Sequence, residues 1–197
     1  MSEKKFNPKT LADKSGIQTQ SLVYCGMFTV LIAVGAFIKI PIPVVPFTLQ
    51  FLFTTMAGLL LGSRLGAASV GIYTLLGLIG LPIFSEGGGI WYVMKPSFGY
   101  ILGFIAGTFV TGRIIETPKT LTIPRYLLAN FSGLAIVYAM GMIYYYLISN
   151  YVINSPIGFE TLFLYCFILA VPGDIFICIV TALLTKQLRP VPRNLMH

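Results

Sequence analysis

The chain has 197 residues, of which 56% are hydrophobic and 10% charged, with a net charge of +7 and a mean hydropathy of +0.87. An ordinary soluble domain carries roughly 25% charged residues, and 13 basic with 6 acidic side chains cannot cover a soluble surface. The composition excludes a soluble globular enzyme, a disordered chain and a disulfide scaffold, and points to an integral membrane protein.

A spanning helix takes about 20 mostly apolar residues. In chain order, six runs qualify, at about 21–38, 47–62, 65–80, 96–113, 126–148 and 159–186. They predict an all-α integral membrane protein, a six-transmembrane-helix bundle in a single membrane domain. Residues 1–20 are its N-terminal segment, 21–186 the bundle and 187–197 a tail. The second and third runs are short and little but Arg64 parts them, so a hairpin around Gly62, Ser63 and Arg64 joins them. The runs are continuous rather than alternating, which excludes an outer-membrane barrel.

The charges orient the bundle. Lys4, Lys5, Lys9, Lys14, Arg64, Arg113, Lys119, Arg125, Lys186, Arg189 and Arg193 fall on one side, and only Lys39 and Lys95 on the other. This positive-inside asymmetry predicts that both termini are cytoplasmic. It also accounts for the excess of positive charge as topology, so no nucleic-acid partner is expected. The basic leader, the apolar run and the small residues Gly35 and Ala36 resemble a signal peptide. Cleavage would leave five spans and spoil the charge balance, so the run is read as an uncleaved span.

Cys25, Cys166 and Cys178 sit in apolar runs without CxxC spacing and read as small buried residues. The sole histidine is His197, which argues against a histidine-based metal site or catalytic triad. No GxxxxGK[ST] phosphate loop is present, so uphill movement of a substrate would draw on an ion gradient or on a partner.

Two outer segments are unlike ordinary loops. Residues 39–50 hold three prolines with little polarity, which suits a lid or cavity wall; the alternative is a stiff connector among the headgroups. Residues 80–96 hold the sole tryptophan, Trp91, together with Tyr92, Lys95 and the run Gly87, Gly88 and Gly89. Consecutive glycines permit positive φ and close backbone approach to a ligand or another helix. Trp91 and Tyr92 equally suit an interfacial aromatic belt, and Lys95 a snorkelling flank. Gly99, Gly103 and Gly107 form a small-residue face suited to close helix packing.

Asp174 is the sharpest residue. It lies about halfway along the last run, after Pro172 and Gly173. A carboxylate at membrane depth costs roughly 2.5–3.5 kcal/mol on insertion scales and must face the bundle interior or a wet cavity. Its helical face otherwise carries Phe167, Ala170, Val171, Cys178 and Thr181, which suits a mainly apolar ligand with an N–H donor at one end. The alternative is a structural pairing with a Tyr or Asn of a neighbouring helix. Asn130 reads as interhelical glue, and Tyr144, Tyr145 and Tyr146 as an outer aromatic belt.

Five segments together resemble the BioY family, the biotin-specific S-components of energy-coupling factor (ECF) transporters. VPFTLQ at 45–50 is similar to its VPxTLQ signature, and GLLLGSRLGA at 58–67 to its LLGxRLGA hairpin. GLPIF at 80–84 with the three glycines at 87–89 resembles its GLPVF…GGG loop, PSFGYILGF at 96–104 its PTxGYxxGF helix start, and Pro172, Gly173 and Asp174 its PGD element. The resemblance implies a six-helix bundle in a prokaryotic cell membrane that binds biotin near the outer face and is not an enzyme. It also implies docking onto a transmembrane coupling subunit and two ATP-binding-cassette ATPases, with ATP used by those partners alone and no cofactor in this chain. On this reading Asp174 accepts the ureido N–H groups, Phe47, Trp91, Tyr92 and Tyr100 cover the apolar part, and Gln50 adds a polar contact. The family often has a lysine three residues after the PGD aspartate, where this chain has Ile177. Lys95 is then the candidate for the ligand carboxylate, with the backbone N–H groups of Gly87, Gly88 and Gly89 second. The alternatives are an S-component for another vitamin such as thiamin and, more remotely, an intramembrane enzyme.

Overall fold

The structure, a computed structural model, describes residues 8–40, 47–117, 122–168 and 170–188, and within them the side chains of 19–39, 48–117, 122–168 and 170–188. Among the described residues, five stretches are long and apolar enough to cross a membrane: Thr19–Phe37, Gln50–Leu78, Phe98–Glu116, Ile123–Tyr151 and Phe159–Leu188. The helices are α1 (Pro8–Phe37), α2 (Gln50–Leu78), α3 (Phe98–Glu116), α4 (Ile123–Tyr151), α5 (Phe159–Phe163) and α6 (Val171–Leu188). A π-helical turn, Leu164–Ile168, separates α5 from α6, and a 3-10 helix, Ile90–Met94, leads into α3. The strands β1 (Lys39–Ile40) and β2 (Phe47–Thr48) pair antiparallel at one end of the bundle. Large apolar side chains such as Leu22, Val30 and Phe176 point outward at 62–71% exposure. Helices apolar on every side keep such faces only where the surroundings are apolar too.

The predicted second and third runs both fall within α2, which breaks at Gly62 (φ 81°, ψ −175°). That region of backbone space is essentially open to glycine alone. The chain doubles back there. A Cβ on Gly66 would lie 2.8 Å from the Ala57 carbonyl oxygen, so the second half runs back along the first. The turn leaves backbone N–H groups open at the start of the second half. Glu116, the last residue of α3, meets them: Ser63 donates its N–H and its hydroxyl to Glu116 Oε1 at 2.7 and 2.8 Å. α1 lies alongside, with the Thr29 hydroxyl donating to the Ser69 carbonyl at 3.1 Å.

The glycine face of α3 is spent on α4. A Cβ on Gly103 would lie 2.9 Å from Val137 Cα, one on Gly107 would lie 2.9 Å from the Gly133 carbonyl oxygen, and one on Gly99 would clash with Tyr144. The two backbones therefore approach as closely as small residues allow. The opposite side of α3 takes α2, where the Thr108 hydroxyl donates to the Thr54 carbonyl at 3.2 Å. α6 is tied to α4 by Asn130 Nδ2 donating to the Cys178 carbonyl at 2.8 Å, the interhelical role expected of that side chain. All three cysteines are buried and free.

Candidate functional site

The close register of α3 on α2 and α4 brings the first turns of α2, α3 and α6 to the middle of α4. There they line a partly open cavity of about 730 Å³, counting the solvent space in its opening, concave and mainly apolar with a few polar groups as small-molecule sites are. Gln50, Tyr100, Tyr138 and Asp174 reach it from four different helices, and Phe51, Ile101, Phe104, Val137 and Ala170 supply apolar wall. Tyr92, Ser97, Tyr165 and Cys166 complete much of the lining.

Asp174 stands in the first turn of α6, its N–H donating to the Ala170 carbonyl at 3.2 Å. It is 8% exposed. The Tyr138 hydroxyl donates to Asp174 Oδ2 at 2.5 Å. The pairing with a tyrosine of a neighbouring helix thus exists, and the same carboxylate also lines the cavity. Ile177, one turn on, packs in the core.

Three other polar groups of the lining, Gln50 Nε2, Ser97 Oγ and the Tyr100 hydroxyl, are buried without a hydrogen-bond partner among the described residues. Each such group costs about 1–3 kcal/mol if left unpaired. Three of them around one cavity mark a place where a polar guest restores the missing bonds.

Of the other residues singled out in the sequence, Tyr92 is buried under the Phe84 ring at a centroid distance of 4.5 Å, and its hydroxyl lies 3.3 Å from Ser85 Oγ. Lys95 lies outside the lining: its ammonium pairs with Glu86 Oε2 at 3.1 Å and sits 5.0 Å from the Tyr92 ring centroid. Trp91 is 79% exposed. Gly87 and Gly89 do adopt positive φ, at 114° and 101°, but the close approach is to the loop's own backbone and to the end of α2. Gly88 packs on the Leu81 carbonyl, and the Gly89 N–H donates to Gly77 at 2.7 Å. Lys39 holds the same loop through the Ser85 carbonyl at 2.9 Å. Residues 41–46 and the Phe47 side chain lie outside the described residues. Tyr144, read as part of an aromatic belt, donates to the Val93 carbonyl at 2.6 Å and so anchors the 3-10 helix. Tyr138, Tyr165 and Cys166 carry no motif, and Ser97 stands within the 96–104 segment without having been assigned a role. For Tyr138 the signal is its i, i+4 and i, i+3 stripe with Asn130, Leu134 and Gly141 on the buried face of α4.

The fold and this cavity define a multi-pass helical membrane protein with a partly open, polar-studded site among its helices. The chain belongs to the BioY family, whose model matches residues 6–194. It is 44% identical over 176 residues, covering 89% of this chain and 90% of the relative, to a probable biotin transporter BioY of Lysinibacillus sphaericus. It is 34% identical over 181 residues, covering 86% of this chain and 93% of the relative, to the biotin transporter BioY of Rhizobium etli. A solved structure, the S-component for biotin from an ECF-type ABC transporter, superposes with a TM-score of 0.75 at 29% identity, over 87% of this chain and 92% of that one. These relatives are transport proteins rather than enzymes.

Proposed function

We propose that this chain is the biotin-capturing S-component of an ECF-type importer. The observation that carries the reading is the cavity, where a buried carboxylate faces unpartnered donors across apolar walls. Biotin has that pattern in complement. Its ureido ring offers an N–H donor to Asp174 in a charge-assisted bond and a carbonyl to Gln50 Nε2 and the Tyr100 hydroxyl. Its thioether ring and valeryl chain suit Phe51, Ile101, Phe104 and Val137. Membership of the family and the names of its relatives support biotin and do not favour thiamin.

Lys95 receives the ligand carboxylate at the rim by exchanging it for Glu86. An exposed pair of that kind is worth only about 0–1 kcal/mol and is readily exchanged. Phe47, Trp91, Gly88 and Gly89 belong to the segments that cover the ligand. The two halves of α2 act as the second and third of six crossings, with both termini cytoplasmic, in a single membrane domain over the whole chain. A transmembrane coupling subunit and two ATP-binding-cassette ATPases supply the energy, the protein itself carries no cofactor, and the setting is the cell membrane of a prokaryote. The experiment is isothermal titration of the purified protein in detergent, without ATP. Saturable heat with biotin and none with thiamin is expected, and absence of heat with biotin at micromolar protein would overturn the assignment.

A further inference from the structure

Resting on that reading, we propose that Tyr138 is the positioning residue of the site and sets which ligand head group Asp174 accepts. Its hydroxyl holds Asp174 Oδ2 at 2.5 Å, and no donor to Oδ1 is found among the described residues. The carboxylate therefore presents one free oxygen to the cavity in a fixed direction.

The tyrosine is itself held rigidly. It is 4% exposed. Its ring stands edge-on to Tyr100 at 6.2 Å and to Phe167 at 5.4 Å, and the preceding residue, Val137, is pinned against the backbone of α3 by Gly103. Among the described residues Asp174 makes no ion pair, and Ile177, one turn further along α6, is apolar. A neutral hydroxyl thus does the work of orienting the carboxylate and leaves its charge available to the ligand.

The consequence is selectivity. A cyclic urea directs one N–H at a single oxygen and its carbonyl at a donor. A guanidinium or amidinium group binds a carboxylate as a fork, through both oxygens. With Oδ2 already accepting from Tyr138, the fork must share that oxygen with the hydroxyl and meets it away from its best direction. Tyr138 therefore favours a urea over the isosteric cyclic guanidinium.

The test uses biotin and 2-iminobiotin, its cationic cyclic-guanidine analogue, titrated into wild type and Tyr138→Phe. Wild type is expected to bind biotin the more tightly. Tyr138→Phe is expected to lose roughly 10- to 100-fold in biotin affinity, the loss typical of a hydrogen bond to a charged group. It should lose far less for iminobiotin, so that the preference narrows by about tenfold or more. Equal losses for both ligands would mean that Tyr138 only supports the fold, and an unchanged biotin affinity would overturn the proposal outright. If Tyr138→Phe does not fold, Phe167→Leu loosens the same ring without touching Asp174 and should narrow the preference in the same direction; an unchanged preference again overturns it. Failure of wild type to bind biotin at all is a separate outcome, and it strikes the functional assignment itself.

Discussion

Asp174 shows what one residue can and cannot disclose. A carboxylate in an apolar run is expensive, so its presence marks an interior or cavity position from the sequence alone. The lining position agrees with that reading. Its partner Tyr138 stands 36 residues earlier on another helix, and no local pattern encodes a pairing fixed by how α4 and α6 meet. Lys95 is the converse case. It is legible as an outer cation, but its pairing with Glu86 depends on the turn that the intervening glycines allow. Lys95→Ala is expected to weaken binding of biotin more than binding of carboxyl-amidated biotin when both are titrated into the same preparation. Losses of equal size would remove Lys95 from the carboxylate role.

At the scale of elements, hydrophobic run length located the helices, and short runs separated by a Gly-Ser-Arg sequence located the fold-back of α2. The clamp that secures it was not legible, because Glu116 reads as an ordinary charged helix end until α3 brings it to Ser63. The last run is read as one helix but is built as α5, a π-helical turn and α6. Pro172 lacks the N–H that a continuous helix needs, and the irregularity turns Tyr165, Cys166 and Asp174 toward one cavity. Gly62→Ala is expected to cost about 1–3 kcal/mol, the price of a side chain in that backbone region, and to lower the thermal midpoint in detergent. Gly71→Ala is the control, since a Cβ there meets nothing within 4 Å and alanine is the better helix former. Equal midpoints for the two variants would contradict the strained-turn description of Gly62.

For the whole molecule, scarce charge carries the most information. The few charged residues suggest an orientation, and the apolar remainder predicts a bundle whose outer faces meet lipid, as the exposed Leu, Val and Phe side chains suit. The ligand was not legible from composition or spacing; it entered through the resemblance of five segments to one family. The geometry adds a physical ground for it, an acceptor and three unpartnered donors gathered from different helices into one apolar chamber. The most direct measurement is isothermal titration of biotin into wild type and Asp174→Asn, both without ATP. Saturable binding by wild type and a sharp loss in Asp174→Asn, with the thermal midpoint retained, is the expected result. Equal affinity in the two proteins, or no binding by wild type, would contradict a biotin site built on this carboxylate.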